Sequence, residues 1–276
     1  AHLTSAVTAG AGVMKVLAVE TATSWQSVAL LDDDRVLARE DHEATGAHGT
    51  LLLPTITRLL ASAGLTLKQL DGLVCSIGPG SFTGLRVGTA TLLGLRAATD
   101  LPLVLVPTLE AMAWSLRGTS GPICPVLPSR KDEIYWAVFR WGADGLVERL
   151  VSEHVGSPQA LAQTLTGATT IFGEGWTLME PAIRAALGPA LTIIPVPGDS
   201  VRPSAVTVGQ AGIERLRRGE IAGDQVAPLY VQRTEAEIRY EQSGGVSPVA
   251  RRQARVATKT AARAARQPRS TGKTRG

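Results

Sequence analysis

Apolar residues in the first half of the chain occur in short runs and in stretches with helical spacing. Together these patterns predict a meander of strands followed by helices and strands in turn. Short apolar runs bounded by turn residues predict strands at Val16–Thr21, Ser27–Leu31 and Val36–Glu40. Helical spacing then predicts a helix at Leu51–Ala63. Later segments predict a strand, a helix, a strand and a helix, at Gly72–Ile77, Thr83–Ala98, Leu103–Val106 and Leu109–Arg117. The predicted order is therefore β-β-β-α-β-α-β-α.

The second half of the chain predicts the same order again after Gly118–Pro122. Its elements are expected at Ile123–Leu127, Ile134–Arg140, Leu146–Glu153, Pro158–Thr166, Ala168–Phe172, Leu178–Leu187, Leu191–Val196 and Val206–Arg218. Repetition of one order of elements indicates a duplicated α/β domain with mixed sheets covered by helices. We therefore expect a first lobe at residues 15–117 and a second lobe at 118–240, which face each other across a cleft.

The two ends of the chain differ from the lobes. Residues 1–14 are expected to be an N-terminal extension, with Met14 as the native start. Residues 241–276 contain almost no large apolar side chains, which predicts a disordered tail. From Ser247 onward there are nine Lys or Arg and no acidic residue, which leaves 19 basic and 24 acidic residues before it. The body is therefore mildly acidic, and the tail gives the chain its net charge of +4.

Composition places the chain in the class of ordinary globular proteins, with 44% hydrophobic and 19% charged residues. No apolar run approaches the roughly 20 residues that span a bilayer, and the N-terminus lacks the pattern of a secretory signal. The only cysteines, Cys75 and Cys124, each lie inside an apolar run, which predicts buried thiols in a reducing compartment. The expected location is the cytoplasm.

The segment from Gly78 to Gly88 reads Gly-Pro-Gly-Ser-Phe-Thr-Gly-Leu-Arg-Val-Gly and lies between a buried strand and a helix. A glycine-rich turn before a helix can bind an anion, and it can equally be a structural turn in which Ser81 or Thr83 caps the helix. The segment matches neither the Walker loop nor the Rossmann fingerprint, so both interpretations stay open. The glycines further along, such as Gly84 and Gly94, indicate close approach of another element.

The whole run from Gly78 to Gly88 resembles the signature of the TsaB (YeaZ) family. Other similar segments follow in the family's order from Lys15 to Arg233, namely Val19–Thr23, His48 before Leu51–Pro54, Arg130 before Glu133–Trp136, Gly173–Trp176 and Pro228–Arg233. The resemblance implies two lobes of the actin-like (ASKHA or RNase H-like) fold. The chain departs from the family at Pro128, where an aspartate is usual, and this removes one acidic group from the cleft.

The resemblance also implies a function. Such proteins are non-catalytic scaffold subunits, required to place a threonylcarbamoyl group on the adenosine beside the anticodon of tRNAs that read codons beginning with adenine. The implied partners are a TsaD-like catalytic subunit and a TsaE-like ATPase, which would hold ATP or ADP and magnesium, whereas this chain alone would form a homodimer. First-lobe helices form the pairing surface, so the expected interface consists of His48, Leu52, Ile56, Leu59, Leu60, Arg86, Thr89, Leu92 and Leu93.

The end of the first predicted strand carries Glu20, where actin-like ATPases have an aspartate that helps to hold the metal-bound nucleotide. A vestigial nucleotide or phosphate site would consist of Glu20, Thr21, Thr23, Gly78, Gly80 and Ser81. The same hydroxyls can instead satisfy backbone groups in a turn. The four histidines lack the i, i+4 helical spacing of the metal ligands in the catalytic relative, so neither a metal site nor catalytic residues are expected.

Two alternative functions follow from other features. The fold would also suit an ATP-dependent enzyme of the actin or sugar-kinase type that acts alone. The cations of the tail can neutralise phosphates, so the chain could instead be a tRNA-binding module.

Overall fold

A five-stranded sheet forms the first lobe of the computed structural model, which describes residues 12–187 and 202–231. Its strands are β1 (Lys15–Glu20), β2 (Trp25–Asp32), β3 (Arg35–Glu43), β4 (Gly72–Ser76) and β5 (Leu103–Val106), in the order β3-β2-β1-β4-β5. Strands β1 to β3 form the predicted antiparallel meander. Strand β4 pairs with β1 and β5 pairs with β4, both in parallel. The parallel strands are almost continuously apolar because helices cover both of their faces.

The second sheet repeats this arrangement with four strands. They are β6 (Pro122–Pro128), β7 (Ile134–Trp141), β8 (Val147–Gly156) and β9 (Thr170–Phe172), in the order β8-β7-β6-β9. Strands β6, β7 and β8 are antiparallel, and β9 runs parallel to β6 as β4 runs parallel to β1. The predicted strand at Leu191–Val196, residues 1–11 of the predicted N-terminal extension and the basic tail lie outside the described residues.

The helices also follow the predicted order. They are α1 (His48–Ser62), α2 (Phe82–Thr99), α3 (Thr108–Ala113), α4 (Pro158–Thr164), α5 (Glu174–Leu187) and α6 (Ala205–Arg217). Helix α3 ends four residues before the predicted Arg117, and a 3-10 turn at Trp114–Leu116 follows it. Helix α5 begins before the predicted Leu178, with a non-helical residue, Met179, shortly before Pro181. Pro181 lacks a backbone N–H and restricts the preceding turn, which accounts for the kink. The α/β class and the two successive lobes are confirmed.

Helices α3 and α6 tie the two sheets together. Helices α1 and α2 pack on one face of the first sheet, and α6 packs on its other face through Ala205, Val208 and Ala211. Helix α3 contacts α6 and also packs Leu109 and Met112 into the core of the second sheet. A boundary at residue 118 therefore separates the strands of the two lobes but not the helices that cover them.

Two further findings concern the class of protein. Over residues 12–187 and 202–231, none of the helices combines the length and the hydrophobicity that a membrane span requires. Cys75 and Cys124 are free and fully buried, as predicted, and burial raises the pKa of both thiols. A thiol with a raised pKa is a poor nucleophile at neutral pH, so both cysteines are packing residues.

Candidate functional site

The glycine segment forms a turn between β4 and α2 that is anchored to the start of α3. Gly78 and Gly80 both have positive φ angles, of 109° and 157°. The N–H of Gly78 donates to Oγ1 of Thr108 at 3.1 Å, and the carbonyl oxygen of Gly78 accepts from the N–H of Thr108 at 2.8 Å. Both backbone groups of Gly78 are therefore satisfied by one residue of the neighbouring helix.

The turn packs directly on the chain that follows β1. The N–H of Ser81 donates to the carbonyl oxygen of Ala22 at 2.6 Å, and Oγ1 of Thr21 donates to the carbonyl oxygen of Gly84 at 2.9 Å. A Cβ atom on Gly80 would overlap with the backbone of Ala22, and one on Gly84 would overlap with the backbone of Thr21. These glycines therefore allow the first turn of α2 to contact residues 21 and 22 backbone to backbone.

This geometry favours the structural turn among the two interpretations of the glycine segment. An anion cradle needs backbone N–H groups that point to an open space. Here the N–H of Ser81 is used by Ala22, and Oγ of Ser81 caps α2 by accepting from the N–H of Gly84 at 3.2 Å. Of the two predicted capping residues, Ser81 serves as the N-cap of α2.

Glu20 faces inward at the end of β1. Its side chain is buried, and Oε1 accepts from the N–H of Ala22. Its other oxygen, Oε2, is buried, and the buried hydroxyl of Ser76 on β4 lies close enough to the carboxyl to lower its pKa. Burial raises the pKa of the Glu20 carboxyl to about 7, and the bond from Ala22 partly opposes this rise. A carboxyl that is only partly ionised near pH 7 supplies less charge for a metal-bound nucleotide than an ordinary carboxylate does.

The predicted vestigial site is thus a real cluster in space, because Glu20, Thr21, Gly80 and Ser81 all meet at residues 20–22. Three of its polar groups, namely Oγ1 of Thr21, Oε1 of Glu20 and the N–H of Ser81, bond backbone groups of the chain itself. Thr23 completes the turn, with Oγ1 accepting from the N–H of Trp25 at 3.2 Å. In the residues that the structure describes, no three His, Cys, Asp or Glu side chains lie close enough together to hold a metal ion.

The structure corrects most of the expected interface. One set of these side chains is buried within the chain and holds α1 and α2 on the first sheet, namely Leu52, Ile56, Leu59, Leu60, Thr89 and Leu92. The chain itself already covers these side chains, because α1 packs on β2, β3 and α2, and α2 packs on β4 and β5. His48 is also buried, where its Nε2 bonds the carbonyl oxygen of Thr23 at 3.0 Å and burial lowers its pKa. Leu93 is half-buried and Arg86 is exposed, so these two remain candidates.

The opposite face of the same helices contains residues that the expected interface left out. Leu53 on α1 is 52% exposed and Phe82 on α2 is 38% exposed. Ala90 and Gly94 are also exposed on α2. Leu53 follows Leu52 in sequence but lies about 100° further around the helix. The signal was present in the helical period, since positions 52, 56, 59 and 60 form one stripe and position 53 falls outside it.

The second lobe has a counterpart of the glycine turn. A Cβ on Gly173, between β9 and α5, would overlap with the carbonyl oxygen of Val126, and one on Gly175 would overlap with the backbone of Leu127. Val126 and Leu127 lie near the end of β6, as residues 21 and 22 follow the end of β1. Each lobe thus packs the turn after its parallel strand against the end of its first strand.

The loop around Arg130 is a tight turn between β6 and β7. The N–H of Ser129 donates to the carbonyl oxygen of Glu133 at 3.0 Å, and Asp132 has a positive φ of 60°. Lys131 and Asp132 are exposed. Lys131 and Asp132 therefore lie in a solvated turn between the two strands.

Comparison with known proteins gives consistent matches along most of the chain. A family model described as TsaD, tRNA N6-adenosine threonylcarbamoyltransferase, matches residues 41–171. The chain is 28% identical over 230 residues to the tRNA threonylcarbamoyladenosine biosynthesis protein TsaB of Escherichia coli, a match that covers 81% of this chain and 96% of that protein. It is 25% identical over 233 residues to the Bacillus subtilis protein of the same name, covering 83% and 99% of the two chains.

Solved structures and a further relative extend these matches. The structure of YeaZ from Pseudomonas aeruginosa is similar to this one with a TM-score of 0.67 and 27% identity, over 79% of this chain and 99% of that chain. An uncharacterized protein of Mycobacterium leprae is 34% identical over 199 residues, which cover 68% of this chain and 52% of that protein. The matches to the Escherichia coli protein and to YeaZ span almost the full length of those proteins.

Proposed function

The chain belongs to the TsaB (YeaZ) family, and we propose on this basis that it is a non-catalytic scaffold subunit in tRNA threonylcarbamoylation. It supports the modification of the adenosine beside the anticodon in tRNAs that read codons beginning with adenine. The observation that carries the proposal is the match over 96% of a relative named as a tRNA threonylcarbamoyladenosine biosynthesis protein.

The geometry at the end of β1 supports a scaffold rather than an enzyme that acts alone. Phosphoryl transfer depends on charged groups and free N–H donors placed around the phosphates. In this chain the carboxyl of Glu20 is buried against Ala22, and the glycine turn bonds the protein's own backbone. We therefore assign ATP or ADP and magnesium to the partners, and the transfer reaction to a TsaD-like catalytic subunit.

The pairing surface is the exposed face of α1 and α2, with Leu53 at its apolar centre. Leu53 is the most exposed large apolar side chain of these two helices, and the small residues Ala90 and Gly94 would let a partner helix approach α2 closely. The same face forms a homodimer when the chain is alone. The TsaE-like ATPase joins the assembly, and tRNA is bound indirectly through the partners.

Co-expression with a TsaD-like protein, followed by measurement of the mass of the complex, tests this proposal. We expect a complex that contains both chains, and we expect Leu53→Asp to abolish it because a carboxylate would be desolvated at the contact. Leu150→Asp is the matched control, since Leu150 is 39% exposed on β8, away from α1 and α2. If the original chain, Leu53→Asp and Leu150→Asp all form the complex equally well, the assigned surface is wrong. If none of them forms a complex, the scaffold function is wrong.

The two alternative functions have their own readouts. Turnover of ATP by the purified chain with magnesium would support an enzyme that acts alone. Loss of tRNA affinity on removal of residues 247–276, measured at two salt concentrations, would support a tRNA-binding module, because phosphate contacts weaken steeply with salt.

A further inference from the structure

Residues 221–231 return from the end of α6 to the first sheet, and we name them the C-terminal strap. The N–H of Ala222 donates to the carbonyl oxygen of Leu103 at 2.8 Å, and the N–H of Leu229 donates to that of Ile77 at 2.6 Å. Arg96 of α2 holds the strap between these points by donating to the carbonyl oxygen of Gly223 at 2.9 Å. The strap therefore runs from the edge strand β5 to the glycine turn.

The strap and the glycine turn form one structural unit. A Cβ on Gly78 would lie 2.9 Å from the carbonyl oxygen of Leu229, so Gly78 leaves the space through which the strap passes. The two motifs that begin at Gly78 and Pro228 are far apart in sequence but meet here. The function proposed above uses the first motif and leaves the second without a role.

The strap ends in a group of three side chains, which we name the Phe82–Arg86–Tyr230 cluster. The rings of Phe82 and Tyr230 lie 5.1 Å apart. The guanidinium carbon of Arg86 lies 3.9 Å from the centre of the Phe82 ring, and its Nε donates to the hydroxyl of Tyr230 at 3.1 Å. Phe82 and Tyr230 are 38% and 43% exposed, and Arg86 is exposed as well. The cluster is thus an ordered aromatic and cationic patch on the surface.

Arg86 is held in place without being neutralised. Its contacts within the cluster use one face of the guanidinium plane and the Nε–H, and its two terminal nitrogens have no hydrogen-bond partner among residues 12–187 and 202–231. Among the described residues no carboxylate forms an ion pair with Arg86, whereas Arg58 on α1 pairs with Glu40. A planar guanidinium of fixed orientation is suited to bidentate binding of a carboxylate.

The cluster also continues the exposed face of α2. Phe82, Arg86 and Ala90 are spaced four residues apart, so they form one row along the helix. Large aromatic and arginine side chains that are fixed before binding are typical of the strongest contacts in protein interfaces. Phosphate recognition in RNA instead draws on several cations. The other arginines of α1 and α2, Arg58 and Arg96, already bond Glu40 and Gly223.

We propose that the Phe82–Arg86–Tyr230 cluster binds a carboxylate of the catalytic partner, so that the C-terminal strap forms part of the pairing surface. This inference rests on the proposed function. Tyr230 is then a positioning residue for Arg86, and Phe82 supplies the apolar surface around the ion pair. The occupant is a protein surface with an acidic side chain beside an apolar patch.

Affinity measurement by calorimetry, with the purified full chain and the TsaD-like protein, tests the cluster. We expect Arg86→Gln to weaken binding about 10- to 100-fold, because a charge-assisted pair is lost. We expect Tyr230→Phe to weaken binding about threefold, since its hydroxyl acts only through the orientation of Arg86. Arg140→Gln is the control, because Arg140 is an exposed arginine of β7 paired with Glu148. Thermal unfolding of each variant shows that it is folded.

Two outcomes overturn this inference in different ways. Unchanged affinity of Arg86→Gln, together with loss of binding by Leu53→Asp, removes the cluster from the interface and leaves the proposed function intact. If Arg86→Gln lowers the affinity of the isolated chain for tRNA but not for the partner protein, the cluster binds RNA phosphate instead. An affinity loss for the partner that shrinks as salt is raised supports the ion pair.

Discussion

Thr21 and Gly84 are locked together across the first lobe. Oγ1 of Thr21 donates to the carbonyl oxygen of Gly84 at 2.9 Å, and a Cβ on Gly84 would overlap with the carbonyl oxygen of Thr21. This contact fixes the first turn of α2 against the end of β1. It also places the row that begins at Phe82 on the surface, so the glycine motif orients the proposed pairing face.

Replacing Gly84 by alanine should therefore destabilise the chain. The added methyl group meets backbone rather than a flexible side chain, so we expect the free energy of unfolding to fall by about 3 kcal/mol or more. Gly94 of the same helix is the matched control, because a Cβ there meets nothing within 4 Å. Gly94→Ala should raise stability by about 1 kcal/mol through helix propensity. Urea denaturation of both variants measures this, and equal effects would contradict the packing described.

Leu52 and Leu53 are neighbours in sequence, but replacing each by alanine should change the free energy of unfolding by very different amounts. Leu52 is 1% exposed and Leu53 is 52% exposed. Leu52→Ala leaves a cavity against the first sheet and should lower the free energy of unfolding by about 2–5 kcal/mol, whereas Leu53→Ala should change it by about 0.5 kcal/mol or less. Thermal or urea unfolding of the isolated chain provides the measurement. A large loss for Leu53→Ala would show that α1 is rotated relative to the structure.

These residues also show what the sequence could and could not predict. Period and order were enough to predict every described strand and α-helix, because each is a buried run or an amphipathic stripe bounded by turn residues. The same apolar stripe on α1 indicates burial without saying what covers it. It was assigned to a partner, whereas β2, β3 and α2 provide the cover. The pairing of Tyr230 with Arg86 depends on a contact across 144 positions, which no local pattern contains.

Glu20 should make the stability of the chain fall as pH rises. Its pKa is about 7 in the folded chain and 4.5 for an ordinary glutamate, so between these values the folded state keeps a proton that the unfolded state has lost. The contribution of Glu20 thus declines by about 3 kcal/mol from pH 4.5 to pH 7 and then stays level. Glu20→Gln should match the original chain near pH 4.5 and exceed its stability at pH 8.

Urea denaturation at a series of pH values tests this difference. The control is Glu148→Gln, because Glu148 is exposed on β8 and its variant should follow the original chain at each pH. If the stability curves of Glu20→Gln and the original chain run parallel from pH 4.5 to 8, the carboxyl of Glu20 titrates normally and the buried geometry at the end of β1 is wrong.

Glu110 should stabilise the junction between the two lobes, because it is shared by elements of both. Nη2 of Arg215 on α6 lies 2.8 Å from each of its oxygens, and Nη2 of Arg149 on β8 lies 2.9 Å from Oε2. Only 12% of the Glu110 side chain is exposed, so solvent screens these pairs less than surface pairs. Glu110→Gln leaves two cations facing an amide and should lower the free energy of unfolding by about 1–3 kcal/mol.

The control is Glu148→Gln, which removes an exposed pair with Arg140 and should change the free energy of unfolding by about 0.5 kcal/mol or less. A double-mutant cycle with Arg215→Gln separates the contribution of the Glu110–Arg215 ion pair from simple loss of packing. A coupling energy near zero would mean that α3 and α6 hold the lobes together by apolar contact alone.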